Sequence, residues 1–326
     1  MLLAATMIAA SAVGCSPDDH HGAAPVTTAA PQPHRDAPEA ALSTLRAIPQ
    51  DADITVRRYH YATRGSVDPH QNWMDLYLPA TAKNAVTQPH STPLVVLIHG
   101  GSWTNRVGAS SMASFARHLT ERGLAVLNVE YRRVGGGGGW PTTFTDVAAA
   151  LDTVPDIEHA VPQLNPSNAV VVGHSAGAQL AVWAGTRQRL SPGEIGAGAV
   201  FRPRHVISLA GPLDLRRAVS LGDKAVVRAL GGTPRTVGSR YAMVDPIENI
   251  SPDTSVVAVA GTADRIVPHV LSEEYVRAAK AKGSDARAVI LPGATHTSII
   301  TPGTQAYREV VELIVRETVD AHANQP

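Results

Sequence analysis

Two kinds of segment alternate along the chain from about residue 51 to residue 322. Short apolar runs rich in β-branched residues, such as PLVVLIH, LAVLNVEYR and NAVVVGHS, predict strands covered on both faces. Between them, segments such as SMASFARHLTERG place apolar residues three and four positions apart, which predicts amphipathic helices. Regular alternation of strand and helix is typical of a parallel sheet with helices on both sides. We therefore expect one α/β domain over 51–322, with a mostly parallel, doubly wound sheet.

Two parts of this domain depart from the alternation. DITVRRYHYA and WMDLYLP follow each other without a helix and predict a strand hairpin at one edge of the sheet. Residues 211–254 lie between two predicted strands and contain the helical stretch LDLRRAVSLGDKAVVRALGG, followed by a polar loop. We expect this segment to form a small helical cap inserted over one edge of the sheet.

The first 50 residues have another character. MLLAATMIAASAVG is an apolar run too short to cross a bilayer, and it ends at Cys15. The segment 1–15 resembles a bacterial lipoprotein signal, in which the cysteine becomes lipid-modified; a secretory signal cut elsewhere is the alternative. Residues 16–50 are rich in Pro, Ala, Thr and Asp and predict a disordered tether. The expectation is an exported protein with a membrane anchor at Cys15.

Composition excludes several classes of function. The chain has 28 basic and 28 acidic residues, with no basic stripe, so nucleic acid is not an expected partner. Cys15 is the only cysteine, which excludes a disulfide, a thiolate metal site and a cysteine nucleophile from the domain. No G-x-G-x-x-G follows the first strands, which argues against a nicotinamide-binding fold.

The five residues from Gly173 to Gly177 form a G-x-S-x-G motif between a predicted strand and a predicted helix. In this context the motif predicts a nucleophile elbow, a strained turn that makes the serine hydroxyl protrude. Side chains two positions away on either side would collide in such a turn, and glycine removes them. The following helix directs its N-terminal amides to the same place. We interpret Ser175 as a nucleophile rather than a helix cap.

A serine nucleophile needs a base and a group that orients the base. Asp264 follows the predicted strand SVVAVAG, and His296 follows the next strand, so both are expected at the same sheet edge as Ser175. The order Ser, Asp, His is that of hydrolases with this elbow. We predict that His296 accepts the serine proton and that Asp264 orients its imidazole. Asp214 is the best substitute acid.

The segment IHGGSW, residues 98–103, ends a strand that should be central in the sheet. Its backbone amides, best assigned to Gly101 and Ser102, are expected to form an oxyanion hole with the amide of Ala176. Two tryptophans, Trp103 and Trp140, are expected near the same edge and are candidates to line a substrate pocket. His99 is expected to shape the loop rather than to transfer protons.

Taken together, the quoted motifs resemble those of the α/β-hydrolase fold, in the esterase group with an HGG-type oxyanion loop. VEYRRV, WPTTFTDVAAALD and ILPGATHTSI extend the resemblance, which includes arylformamidase-type and BD-FAE-like hydrolases and covers nearly all of 51–322. It implies a serine hydrolase that uses neither a metal nor an organic cofactor. The most direct expectation is a carboxylesterase that cleaves small or medium acyl esters through an acyl-enzyme.

Two alternatives remain open at this stage. An arylformamidase-type amidase would use the same triad and a similar HG-x-x-W loop, so the motifs do not separate ester from amide substrates. A surface binding protein on a hydrolase scaffold without activity is the alternative from another class, since a fold alone does not establish activity. The sequence leaves the natural substrate and the oligomeric state open.

Overall fold

The computed structural model describes residues 54–63, 67–80, 82 and 89–323. The predicted signal segment 1–15 with Cys15 and the predicted tether 16–50 lie outside the described residues, and they stay predictions. Among the described helices, none combines the length and the apolar character that a membrane crossing requires.

The described part of the chain contains an eight-stranded sheet in the order β1-β2-β4-β3-β5-β6-β7-β8. The first two strands pair with each other in antiparallel register, and β2 is also antiparallel to β4. All other neighbours are parallel. The strands are β1 (Ile54–His60), β2 (Trp73–Pro79), β3 (Thr92–Ile98), β4 (Ala125–Val129), β5 (Leu164–His174), β6 (His205–Leu209), β7 (Ser255–Gly261) and β8 (Ala286–Leu291).

Helices cover both faces of this sheet, as the apolar strands predict. The helices among the described residues are α1 (Ala113–Glu121), α2 (Thr142–Asp152), α3 (Val154–Ala160), α4 (Ala176–Thr186), α5 (Leu215–Ser220), α6 (Lys224–Leu230), α7 (Gly238–Val244), α8 (Val270–Ala281) and α9 (Gln305–Ala323). Successive residues of β3 point to opposite cores: Val95 and Leu97 pack with α1 and α9, and Val96 packs with α2, α4 and α8. The expected mostly parallel, doubly wound sheet is confirmed.

Some elements differ from the sequence-based expectation in their bounds or in their presence. Strand β4 ends at Val129 because the Glu130 carboxylate accepts the next backbone amide, that of Tyr131, at 2.8 Å. The helix that follows Ser175 ends at Thr186 and continues only as a single 3₁₀ turn. Helix α3 was not expected, because its seven residues are too few to show a helical period.

The segment 211–254 contains α5, α6 and α7, and two aspartates accept backbone amides at the start of α5. Asp214 accepts the amide of Arg217 at 2.7 Å and is the N-cap of α5. Asp245, which has no solvent exposure, follows α7 and accepts the amide of Leu215 at 2.9 Å. One buried carboxylate thus joins the two ends of this insertion.

Ionisation of Asp245 is expected to make the stability of the protein depend on pH. Burial, which outweighs the hydrogen bonds from backbone amides, raises the pKa of Asp245 to about 7. A carboxyl whose pKa is higher in the folded than in the unfolded chain stabilises the fold fully below pH 4, and this contribution is lost as the pH rises towards 7.

We therefore expect the wild type to lose stability from pH 4.5 to pH 7.5 relative to Asp245→Asn, which has no carboxyl at this position. The difference in free energy of unfolding, variant minus wild type, should rise by roughly 1 kcal/mol or more over this range. Urea unfolding at both pH values measures the difference. An equal difference at the two pH values would show that Asp245 titrates in its ordinary range.

Candidate active site

Ser175 lies at the sharp turn between β5 and α4, with φ of 54° and ψ of −120°. A positive φ is strained for a residue with a side chain, and it is held here by a hydrogen bond from the Ser175 amide to the carbonyl of Leu209 at 2.8 Å. A side chain at Gly173 would overlap the carbonyl of Gly177, and one at Gly177 would overlap the carbonyl of Ile98. Both glycines of the motif are therefore required by close backbone packing.

The structure brings the three predicted residues Ser175, His296 and Asp264 into one chain of hydrogen bonds. The Ser175 hydroxyl lies 2.9 Å from Nε2 of His296, and Nδ1 of His296 lies 2.8 Å from Oδ2 of Asp264. These residues are only 6%, 8% and 8% exposed, respectively. Since an ionised carboxylate only accepts, His296 carries its proton on Nδ1 and presents Nε2 to the serine hydroxyl as an acceptor.

The environment of Asp264 keeps its carboxyl ionised. Burial alone would raise the pKa of Asp264, but hydrogen bonds from His296 and from the amide of Val267, with the charge of His296, lower it below its ordinary value. The second oxygen, Oδ1, accepts the amides of Ile266 and Val267 at 2.8 and 2.9 Å. Asp214, the substitute acid, caps α5 instead and makes no contact with His296 among the described hydrogen bonds.

His174 contacts His296, and no local sequence pattern predicts this contact. Its Nε2 donates to the backbone carbonyl of His296 at 3.0 Å, and the two rings lie 4.9 Å apart. Burial and the neighbouring His296 lower the pKa of His174 to about 4, so its ring is neutral near pH 7. The only sequence signal for this role was its place inside the G-x-S-x-G motif.

The loop after β3 lies directly against Ser175. A side chain at Gly100 would come within 3.0 Å of the Ser175 Cβ. The next three residues, Gly101, Ser102 and Trp103, all have positive φ, at 110°, 55° and 54°. In the described part of the chain, the amides of Gly101 and Ser102 donate to no backbone or side-chain acceptor. Ser102 and Ala176 both line the cavity at Ser175, where their amides suit a developing oxyanion.

A buried charged network supports this loop. Nδ1 of His99 donates to the Gly100 carbonyl at 2.7 Å, and its Nε2 lies 3.1 Å from both Glu130 and Arg133. The second Glu130 oxygen accepts the amide of Ala109 at 3.0 Å. Arg133 pairs with Glu130 and donates to the carbonyl of Val107 at 2.9 Å. His99 therefore shapes the loop from a fully buried position.

Ser175 opens into a cavity of about 410 Å³ between the 211–254 insertion and the turn after Asp264. Trp103 lines this cavity, as predicted. Trp140 does not belong to its lining; the ring packs 5.7 Å from Phe144, with Arg240 above it. The prediction that Trp140 lines the pocket is wrong, because the ring turns towards the core beside α2.

Among the described residues, no group of three or more His, Cys, Asp or Glu side chains could hold a metal ion.

Comparisons with known proteins agree with this fold. The BD-FAE family model matches residues 74–278. A truncated carbohydrate esterase from gut microbiota has 21% identity and a TM-score of 0.67, with 84% of this chain and 100% of that chain covered. Esterase B from Lactobacillus rhamnosis, bound to a C6-C4 SN3 inhibitor, has 19% identity and a TM-score of 0.69, covering 84% and 89%. Est2, an esterase from the planctomycete Thermogutta terrifontis, has 22% identity and a TM-score of 0.64, covering 85% and 95%. No curated protein matches the chain significantly in sequence.

The close packing at Gly177 predicts that alanine at this position destabilises the protein, whereas helix propensity alone would predict stabilisation. Alanine is favoured over glycine inside a helix by about 1 kcal/mol, yet a Cβ at position 177 would overlap the carbonyls of Ile98 and His99. We expect Gly177→Ala to lower the free energy of unfolding by about 1–3 kcal/mol. The matched control is Gly238→Ala in α7, where a Cβ meets nothing within 4 Å and stability should not fall. Urea unfolding of both variants tests this, and a Gly177→Ala variant as stable as the wild type would contradict it.

Proposed function

The chain belongs to the BD-FAE family, a group of the α/β-hydrolase type, and on this basis we propose that it is a serine carboxylesterase for small or medium acyl esters. The observation that carries the proposal is the unbroken hydrogen-bonded chain from Ser175 through His296 to Asp264, together with the cavity that Ser175 lines. The esterases among the similar structures support ester hydrolysis as the reaction.

Acylation follows from the geometry of the triad. The Ser175 hydroxyl attacks the ester carbonyl while His296 Nε2 takes its proton, and Asp264 stabilises the imidazolium that forms. The amides of Gly101, Ser102 and Ala176 stabilise the negative charge on the carbonyl oxygen, and such donors are typically worth about 10²–10³ in rate each. His296 then protonates the departing alcohol, leaving an acyl group on Ser175.

Deacylation repeats these steps with water as the nucleophile. His296 removes a proton from water, the same amides stabilise the second oxyanion, and the acid leaves as Ser175 recovers its proton. His174, neutral and bonded to the His296 carbonyl, keeps the imidazole in place through both halves. A binding protein without activity would not need these aligned donors and acceptors.

Substitutions at the two aspartates separate the triad acid from its substitute. We expect Ser175→Ala to abolish turnover of 4-nitrophenyl acetate, with a loss on the order of 10⁶-fold in kcat. Asp264→Asn should cost about 10⁴-fold in kcat, because an amide no longer selects the Nδ1-protonated form of His296. Asp214→Asn is the matched control and should keep turnover within about twofold, since asparagine also caps helices. Equal losses at Asp214 and Asp264 would refute the assignment of the acid.

The acyl group and the scissile bond can be tested with one series of substrates. We expect 4-nitrophenyl esters of acetate to hexanoate to be hydrolysed, with kcat/KM falling for longer chains that exceed the cavity of about 410 Å³. The matched 4-nitroanilides should react far more slowly. Faster hydrolysis of the anilides or of aryl formamides would instead favour the arylformamidase-type activity suggested by the HGGSW loop.

A further inference from the structure

We propose that the substrate of this site carries a negatively charged group, a carboxylate or a similar small anion, close to its scissile ester bond. The inference rests on the proposed function, because it assigns the class of substrate to the same cavity. Three cationic residues around the cavity would bind the anion: Lys224, Arg228 and Arg265.

The charge of the cavity wall differs from that of the whole chain. The full sequence has 28 basic and 28 acidic residues and no net charge. The residues that line the cavity at Ser175 include these three cations and a single carboxylate, that of Asp223. One oxygen of Asp223 already accepts the amides of Ala225 and Val226 at 2.7 and 3.2 Å. The lining of the cavity therefore carries an excess of positive charge.

None of the three cations has a partner of opposite charge among the described residues. Other arginines of the same insertion do: Arg216 pairs with Glu248, and Arg217 lies 3.9 Å from Glu274. Lys224, Arg228 and Arg265 are exposed at the cavity wall, and their side chains make no hydrogen bond or ion pair with the described part of the chain. Their charges remain available to a ligand.

The three cations approach the cavity from two sides. Lys224 and Arg228 are four residues apart in α6, so they share one face of this helix. Like charges at this spacing repel each other, which a bound anion would relieve. Arg265 follows Asp264 directly and stands on the β7 side of the cavity. An anion between α6 and the β7 turn would therefore meet cations from both walls.

The mouth of the cavity also offers apolar surface beside these charges. Leu221 and Ile266 line it and are 47% and 61% exposed. A cleft with one sign of charge and apolar walls concentrates oppositely charged ligands, and salt weakens this effect. The fitting substrate class is a small ester that combines an apolar or aromatic part with an anionic group.

Two matched substrate pairs test the inference on the full chain. In one pair the charge lies on the alcohol side: 4-acetoxybenzoate and its methyl ester. In the other it lies on the acyl side: mono-4-nitrophenyl adipate and its methyl ester. For each pair, the selectivity is the ratio of kcat/KM for the anion to kcat/KM for the neutral ester.

The selectivity is then compared between the wild type and the triple variant Lys224→Gln, Arg228→Gln, Arg265→Gln. We expect the selectivity of the wild type to be about tenfold higher than that of the triple variant in at least one substrate pair. Each exposed ion pair contributes roughly two- to fivefold to the binding of the anion. The variant Arg235→Gln, Arg277→Gln, Lys280→Gln removes the same charge from exposed positions outside the cavity lining and should keep the wild-type selectivity.

Salt provides a second measurement that does not depend on how the variants fold. The wild-type selectivity should fall several-fold between about 20 mM and about 500 mM NaCl, because screening shortens the reach of the three charges. A selectivity that is independent of salt and equal in the wild type and the triple variant, for both pairs, would overturn the inference.

Further outcomes distinguish this inference from the proposed function and from a membrane-binding role of the three cations. If neutral esters are hydrolysed through Ser175 without any preference for the anion, only the inference fails; if no ester is hydrolysed through Ser175, the proposed function fails with it. Vesicles of phosphatidylglycerol and phosphatidylcholine test a membrane role. If the triple variant loses vesicle binding while its ester selectivity stays that of the wild type, the cations serve a lipid surface and the inference is overturned.

Discussion

The close approach of three backbone segments around Ser175 is the constraint on which the rest of the site depends. The end of β3, the turn after β5 and the first turn of α4 pack so tightly that side chains at Gly173 and Gly177 would overlap carbonyl groups. This packing holds Ser175 at a positive φ and sets Gly100 within contact of its Cβ. Ser175 and the loop after β3 therefore have a fixed relative position, and the proposed mechanism requires such electrostatic preorganisation.

The network of Glu130, His99 and Arg133 buries charged groups, which costs desolvation free energy. Its contacts indicate what the network does for the loop after β3. A buried ion pair generally stabilises a protein no more than well-packed apolar side chains in the same place would. Here, however, the network ties three backbone groups of the loop after β3 to one carboxylate: the Gly100 carbonyl through His99, the Val107 carbonyl through Arg133 and the Ala109 amide directly. These contacts bracket Gly101 to Trp103, whose left-handed conformations would otherwise relax. We interpret the network as the scaffold of the oxyanion loop.

The sequence predicted the parts of the fold that follow from local pattern. Apolar strands, the edge hairpin and the strand–elbow–helix at Ser175 each leave a signal within about ten residues, and the structure contains all of them. What it did not predict depends on long-range packing. Trp140 was expected at the pocket, but its direction is set by contacts with Phe144 and Arg240. The hydrogen bond between His174 and His296 joins residues 122 positions apart, so no local pattern could reveal it.

The site is divided between the sheet and the 211–254 insertion. In the proposed function, the sheet carries the reacting groups and the insertion carries the wall that selects substrates. Ser175, Asp264, His296 and the loop from Gly100 to Trp103 all follow the carboxyl ends of sheet strands, and backbone pairing from β3 to β8 fixes their positions. The opposite wall of the cavity comes from α5 and α6, which are six and seven residues long. Helices this short depend on caps and tertiary contacts rather than on intrinsic stability. Two of the three unpaired cations lie on α6, and their side chains make no hydrogen bond with Ser175, His296 or Asp264. The proposed reaction uses the same groups for esters and amides, so in this proposal the charge and shape of that wall select which molecules reach Ser175.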